Sequence, residues 1–101
     1  MLHIINKSPG ATSTLASLLA IAREGSGNVV LLIEDAVYAA TSGNHAAAAL
    51  RDAMATVEVY ALAPDLDARG VADRLIEGVG TVDYGGFVDL VVAQPNCQSW
   101  L

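Results

Sequence analysis

Cysteine is almost absent from this chain, since Cys97 is the single example among 101 residues. One thiol excludes a disulfide within the chain and any zinc site that needs several cysteines. The two histidines, His3 and His45, lie far apart in sequence, and neither has a third ligand at a helical or hairpin spacing. We therefore expect no bound metal ion and no other cofactor.

Charged residues are also scarce, at 16% of the chain, and positive charge is the scarcer sign. Five Lys and Arg residues stand against eleven Asp and Glu residues, so the formal net charge is −6. The cations are scattered and form no basic stripe: Lys7, Arg23, Arg51, Arg69 and Arg74. Because nucleic-acid binding draws most of its affinity from clustered cations on phosphates, we expect no direct binding of RNA or DNA.

Long apolar runs are missing as well. Apolar runs such as 29–33 and 90–93 fall far short of the roughly 20 residues that a membrane helix needs. The first seven residues also lack the basic region and longer apolar stretch of a secretory signal. These absences predict a cytoplasmic protein that does not enter a membrane.

Apolar residues, in contrast, are in excess. They make up 53% of the chain, and the mean hydropathy is +0.46. We expect a single domain over residues 1–101, and a domain of that size buries only about two-thirds of the surface of its unfolded chain. Some apolar surface should stay outside, and a large exposed apolar patch usually marks a partner interface. Association with other subunits is therefore the first functional expectation.

Strand and helix patterns alternate along the chain. The run at 29–33 is continuously apolar, as in strands of a parallel sheet that helices cover on both faces. The predicted strands are 2–6, 28–33, 57–61 and 79–82. A first helix is predicted between the first two strands, with its end at Gly25, and further helices are predicted at 36–41, 44–55 and 84–93. The stretch after Pro64 is irregular or helical, and 94–101 form a tail. This alternation predicts an α/β fold with a mostly parallel sheet.

The first helix has a clear helical period. Its apolar face consists of Leu15, Leu18, Leu19 and Ala22. One of Thr12, Ser13 and Thr14 can cap it, and Gly25 can end it. His3 is expected at the border of the sheet, and His45 in solvent or in an interface.

Polar side chains stand where the strands are predicted to end, and sites in open parallel sheets gather at such ends. The candidate binding residues are Ser8, Glu34, Asp35, Asp65 and Asp83. One interpretation is a shared polar crevice in which Glu34 or Asp35 serves as acid or base. The other, which we favour, is that the acids cap and stabilise the helices that begin there.

Cys97 is the only candidate nucleophile, and its sequence neighbours supply no positive charge that would favour the thiolate. A structural or incidental cysteine is the favoured interpretation. The candidate interface residues are Tyr38, Trp100 and Leu101. The last two form an apolar pair that must dock either on its own domain or on a neighbouring subunit.

Four segments, in the right order, resemble a known family. Residues 2–9 resemble its first strand and Ser-Pro turn, and residues 31–40 resemble its acid–acid–x–x–Tyr–Ala segment. Residues 61–70 resemble the stretch after its third strand, and 82–90 with 98–101 resemble its ending. On these segments the chain is identified as a member of the TusB/DsrH family.

The resemblance implies a three-layer α/β/α fold with a mostly parallel sheet of about four to five strands. It also implies a heterohexamer with TusC/DsrF-like and TusD/DsrE-like subunits, and sulfur-donor and sulfur-acceptor proteins that act through that complex. By the same resemblance, the sulfur-accepting cysteine is expected on the TusD/DsrE-like partner. Some DsrH-type chains carry a cysteine in the first helix, where this chain has Leu18 and Leu19.

The resemblance implies a role in passing persulfide sulfur toward 2-thiolation of the tRNA wobble uridine, and the missing helix cysteine and the apolar excess favour a non-catalytic subunit. A DsrH-type subunit in intracellular sulfur oxidation is the first alternative. A sulfurtransferase that uses Cys97 is the second, and a homo-oligomeric ligand-binding module is the third.

Overall fold

A computed structural model describes residues 1–10 and 13–100. At the centre of the fold lies a fully parallel sheet of five strands. The strands are β1 (Leu2–Ile5), β2 (Val29–Leu32), β3 (Glu58–Leu62), β4 (Gly80–Val82) and β5 (Cys97–Trp100). Their order across the sheet is β4-β3-β2-β1-β5. The predicted parallel α/β architecture is thereby confirmed.

Helices cover both faces of this sheet. In the described ranges they are α1 (Thr14–Glu24), α2 (Ala47–Ala53), α3 (Ala63–Ala68) and α4 (Tyr84–Ala93), with 3₁₀ helices at Glu34–Ala40 and Ala72–Arg74. The first three α-helices pack on one face, and α4 packs alone on the other. None of these helices is long and apolar enough to cross a membrane.

The two faces of the sheet carry cores of unequal size. The larger core holds the inward residues of α1, α2, α3 and the first 3₁₀ helix against the sheet. The smaller core consists of four buried strand residues, Leu2, Ile4, Val29 and Leu31, on which Phe87 and Leu90 of α4 pack. Since neighbours along β2 fall into opposite cores, both faces of that strand are buried, which explains its unbroken apolar sequence.

The C-terminal residues form the outermost strand, β5, and not an irregular tail. Strand β5 pairs with β1 in parallel register, with Leu2 opposite Cys97 and Ile5 opposite Trp100. It therefore moves β1 inward from the border of the sheet. His3 on β1 is only 3% exposed, and the expectation that it lies at the border is wrong.

Gly25 ends α1 for a reason other than the predicted one. Its φ of −99° is not left-handed, so the usual glycine cap does not apply. A Cβ atom at this position would lie 2.6 Å from the side-chain amide nitrogen of Asn28. That nitrogen donates to the carbonyl oxygen of Ala22 over 3.0 Å, so glycine leaves room for the Asn28 bond. Thr12, one of the candidate caps, lies outside the described residues.

Candidate functional site

A cluster of polar side chains joins the carboxyl ends of β1, β2 and β3. The backbone N–H of Glu34 donates to Asp65 Oδ2 over 2.7 Å. Asn6 Nδ2, just beyond β1, donates to Glu34 Oε2 over 3.2 Å. Two of the predicted site residues, Glu34 and Asp65, are thus in direct contact although they are 31 positions apart in sequence.

Arg69 completes this cluster, and sequence reasoning missed it. Its Nη2 lies 3.0 Å from Asp35 Oδ1, and its Nη1 lies 3.6 Å from Asp65 Oδ1. Asp65 and Arg69 are four residues apart, the spacing that brings side chains together on a helix. That spacing was the available signal, but it does not show that Asp35 joins the same cation.

The carboxylates of this cluster already have partners. Asp65 accepts from a backbone amide and faces a guanidinium, Asp35 accepts from the same guanidinium, and Glu34 accepts from an amide. These bonds connect the turns after β2 and β3, so the arrangement acts as a brace between strand ends. An acid–base role for Glu34 or Asp35 stays a prediction.

Glu34 has a backbone conformation that is unfavourable for its residue type. Its φ is +50°, in the left-handed region that favours glycine and costs other residues about 1–2 kcal/mol. The Glu34 N–H points to Asp65 in this conformation, so the brace holds the strained turn in place.

Replacing Glu34 by glycine and by alanine separates backbone strain from side-chain bonding. Both Glu34→Gly and Glu34→Ala remove the hydrogen bond to Asn6, but only glycine relieves the positive φ. We expect the glycine variant to be about 1 kcal/mol more stable than the alanine variant, the reverse of the usual order. Urea unfolding measures this difference, and an alanine variant of equal or greater stability would contradict the strain.

Ser8 and Asp83, the other predicted binding residues, form local bonds. Asp83 caps α4, with its Oδ1 accepting from the N–H of Gly86 over 2.8 Å. Ser8 Oγ accepts from the N–H of Gly10 over 3.1 Å. In the described residues, no hydrogen bond or ion pair connects either side chain to Glu34, Asp35 or Asp65. The five predicted residues therefore do not all contact one another in a single crevice. Their binding role stays a prediction.

Cys97 is exposed at the first position of the edge strand β5. Because the strands are parallel and Cys97 lies opposite Leu2, it sits at the amino ends of the strands. The polar cluster of Glu34, Asp65 and Arg69 lies at the carboxyl ends. The lone thiol and the candidate acids therefore lie at opposite ends of the strands and do not form one reaction centre.

Helix α4 presents a contiguous apolar surface to solvent. Four of its side chains are exposed at positions i, i+4, i+7 and i+8, which fall on one helix face: Tyr84, Val88, Val91 and Val92. Val88 is 58% exposed and Val92 is 78% exposed. We call these four residues the α4 surface. Asp89 is the only charged residue within the helix.

Composition predicted an exposed apolar patch but not its place. Helix α4 is apolar nearly all round, which is typical of a helix buried on every side. Only its Phe87 and Leu90 side is packed against the small core, and no residue of α4 is fully buried. The α4 surface is therefore the main feature that sequence reasoning missed.

The predicted interface residues lie elsewhere. Tyr38 is exposed on the first 3₁₀ helix, in the layer opposite α4. Trp100 is half-buried and packs on the larger core, so the tail docks on its own domain. Leu101 lies outside the described residues. Whether Tyr38 and the exposed part of Trp100 contact a partner stays a prediction.

Known proteins match both the sequence and the fold. The family model described as "DsrH like protein" matches residues 7–96. The chain belongs to this DsrH-like family. The protein called TusB from Escherichia coli strain K12 is 39% identical over 100 residues, which cover 99% of this chain and 100% of that protein. TusB from the O6:K15:H31 strain 536 matches to the same extent.

Solved structures share the fold of this DsrH-like chain. The crystal structure of the YchN protein from E. coli superposes with a TM-score of 0.80 and covers 98% of this chain and 97% of its own, at 18% identity. The protein of unknown function MTH1491 from Methanobacterium thermoautotrophicum also gives 0.80, with 98% and 96% covered and 19% identity. At such low identity these matches bear on the fold alone.

Proposed function

We propose that this DsrH-like chain is an assembly subunit of a sulfur-relay complex and that a related α/β subunit covers its α4 surface. The sulfur-accepting thiol resides on a TusD/DsrE-like partner, and a TusC/DsrF-like subunit completes the complex. In this role the chain contributes binding surface, and its partners carry the reactive sulfur.

The exposed α4 surface carries the proposal. Four large apolar side chains on one helix face are between 38% and 78% exposed in the described structure, and such patches mark association sites. Burial of this face by a partner would stabilise the complex by about 25 cal/mol for each Å² of apolar surface removed from water. The placement of Cys97 supports the non-catalytic part, because this exposed thiol lies at the amino ends of the strands, away from the polar cluster at their carboxyl ends.

The similarity to TusB supports delivery of the sulfur to the 2-position of the tRNA wobble uridine. The family name DsrH supports the alternative, a subunit that serves sulfur oxidation. Deleting the coding sequence separates the two, since loss of 2-thiouridine from bulk tRNA, measured by mass spectrometry, is expected only in the first case. Unchanged 2-thiouridine would reject the tRNA role.

Assembly and sulfur transfer are tested together by reconstitution. The tagged chain is co-expressed with the TusC-like and TusD-like chains of the same organism and purified as one complex. A cysteine desulfurase with ³⁵S-cysteine then supplies labelled persulfide. We expect stable co-purification with label on the TusD-like chain. Failure to co-purify would contradict the assembly role, and label on this chain would contradict its non-catalytic character.

Replacing Cys97 by serine tests the remaining enzymatic alternative. Cys97 is exposed and makes only backbone pairing in β5, so Cys97→Ser should change stability by less than about 0.5 kcal/mol. We expect cells with this variant to keep their full 2-thiouridine content. A Cys97→Ser strain that lost 2-thiouridine while retaining the assembled complex would establish this thiol as a sulfur carrier.

A further inference from the structure

Three side chains connect the edge strand to the interior of the sheet. The indole Nε1–H of Trp100 lies 3.2 Å from His3 Nδ1. His3 Nε2 lies 3.2 Å from Asn28 Oδ1. Asn28 in turn donates through Nδ2 to the carbonyl oxygen of Ala22, at the end of α1. Trp100 is 97 positions from His3 in sequence, so these bonds join the two ends of the described chain to α1.

The donors and acceptors of this chain of bonds determine the state of His3. An indole nitrogen only donates, so His3 Nδ1 must be the acceptor and carry no proton. Asn28 uses its amide nitrogen on a carbonyl oxygen, so its Oδ1 accepts, and His3 Nε2 must carry the proton. Both neighbours therefore require the same form, a neutral imidazole protonated at Nε2.

We propose that His3 and Trp100 form a proton-sensitive latch that holds β5 on the sheet. A second proton on the imidazole would sit on Nδ1 and place two N–H groups against each other. It would also charge a side chain that is buried among strands, where an unpaired charge is costly. Only the neutral imidazole is compatible with both hydrogen bonds, so a second proton on His3 would release β5 from the sheet.

Within residues 1–10 and 13–100, no hydrogen bond or ion pair joins His3 to a negative charge that would compensate that proton. Just before β2 the polar neighbour is Asn28, and from β5 the neighbours are Gln98 and Trp100. On α1, Arg23 is exposed and paired with Asp52, and Glu24 is exposed. Among the described residues, no carboxylate is hydrogen-bonded to His3.

Release of β5 would also free the chain segment that follows the α4 surface. Only residues 94–96 separate the end of α4 from β5, and the N–H of Leu2 holds the carbonyl oxygen of Asn96 at 2.9 Å. Most of β5 is exposed, and Trp100 is its one residue packed on the core. On the proposed function above, the latch would therefore control whether the C-terminal end of α4 is held for the partner subunit.

The latch is tested on the full chain without partners. Nitrogen-15 chemical shifts of the imidazole identify the tautomer, and we expect Nε2 protonated and Nδ1 free at neutral pH. Trp100 is the only tryptophan, so its fluorescence reports the docking of β5 directly. We expect a shift to longer wavelength as His3 gains its second proton, and protection factors of the β5 amides that drop about tenfold over the same range. An Nδ1-protonated tautomer would overturn the latch.

Variants distinguish this response from general acid unfolding. His3→Phe keeps a ring in the core but offers no acceptor, so its β5 amides should be weakly protected at every pH from 8 to 5. His45→Gln, at the exposed second histidine, should leave the wild-type transition intact. A pH response that survives His3→Phe, or that disappears in His45→Gln, would reject the proposal. If His3→Phe does not fold, the wild type alone tests the latch. An Nδ1-protonated His3, or a Trp100 signal that does not change with pH, would then reject it.

A second arm separates the latch from the assembly role. Affinity for the TusC-like and TusD-like chains is measured at pH 8 and at the lowest pH at which both partners stay folded. Coupling predicts weaker binding at the lower pH for the wild type and no change for His3→Phe. If the chain binds no partner at either pH while Trp100 still follows His3, the assembly role fails and the latch stands. If it binds equally at both pH values while β5 is released, the control of the α4 surface is refuted.

Discussion

The variant Val88→Asp is expected to weaken binding to the partner subunits by at least about 100-fold. In the complex its carboxylate would be buried against an apolar surface without a counter-charge, at a cost of several kcal/mol. Each 1.4 kcal/mol corresponds to a factor of ten in affinity. In the isolated chain the same side chain remains in water, because Val88 is 58% exposed. Its stability should therefore change by less than about 0.5 kcal/mol, so binding is lost without loss of the fold.

Ile21→Asp is the matched control for this experiment. Ile21 is 56% exposed, on α1 in the layer opposite α4, and both positions lie within α-helices. The two variants thus carry the same new charge at the same exposure on opposite faces of the molecule. Size-exclusion chromatography with light scattering, together with titration calorimetry, compares them. Equal binding by both variants, or a stronger effect of Ile21→Asp, would show that the partner covers a different face.

The variant Asp65→Ala is expected to lower the free energy of unfolding by about 2–3 kcal/mol, the largest effect on stability that we predict for the polar cluster. The substitution leaves the N–H of Glu34 without its acceptor and Arg69 without one of its two carboxylates. A hydrogen bond that involves a charged group contributes about 1.5–3 kcal/mol. Asp65 is mostly buried, with 19% of its side chain exposed, so water replaces the lost bond poorly.

Two further substitutions identify the origin of this loss. Asp65→Asn keeps an acceptor for Glu34 but removes the charge, so it should cost only about 1 kcal/mol. Asp67→Ala changes an exposed acid on the same helix and should cost less than about 0.5 kcal/mol. Urea unfolding of the three variants gives the comparison. If Asp67→Ala destabilised the chain as much as Asp65→Ala, the effect would belong to the helix and not to the brace.

Prediction from sequence succeeded where local pattern and burial agree. The apolar face of α1 is the clearest case, because its four predicted residues are all buried in the larger core. The continuous run in β2 likewise predicted a strand covered on both faces. In each case the side-chain period is a property of one segment, so no knowledge of its neighbours was needed.

Residues brought together by tertiary contacts were the ones that prediction missed. The sequence around Gln98 alternates weakly and resembles a tail, and it becomes a strand because β1 offers an unpaired edge. The same pairing buries His3, which nothing in its own segment requires. Arg69 joins Asp35 to Asp65 only because the turns after β2 and β3 are adjacent in the sheet.

By itself the sequence determined the class of fold, most of the helices and strands, the family, and the expectation that apolar surface would remain exposed. Each of these follows from composition, from a short period or from segments in order. Only the tertiary structure decided that α4 carries that surface, that β5 closes the sheet beside β1, and that His3 meets Trp100. These depend on which elements become neighbours, and this is set by the packing of the whole chain, because a helix that is apolar all round does not indicate which side its own domain will cover.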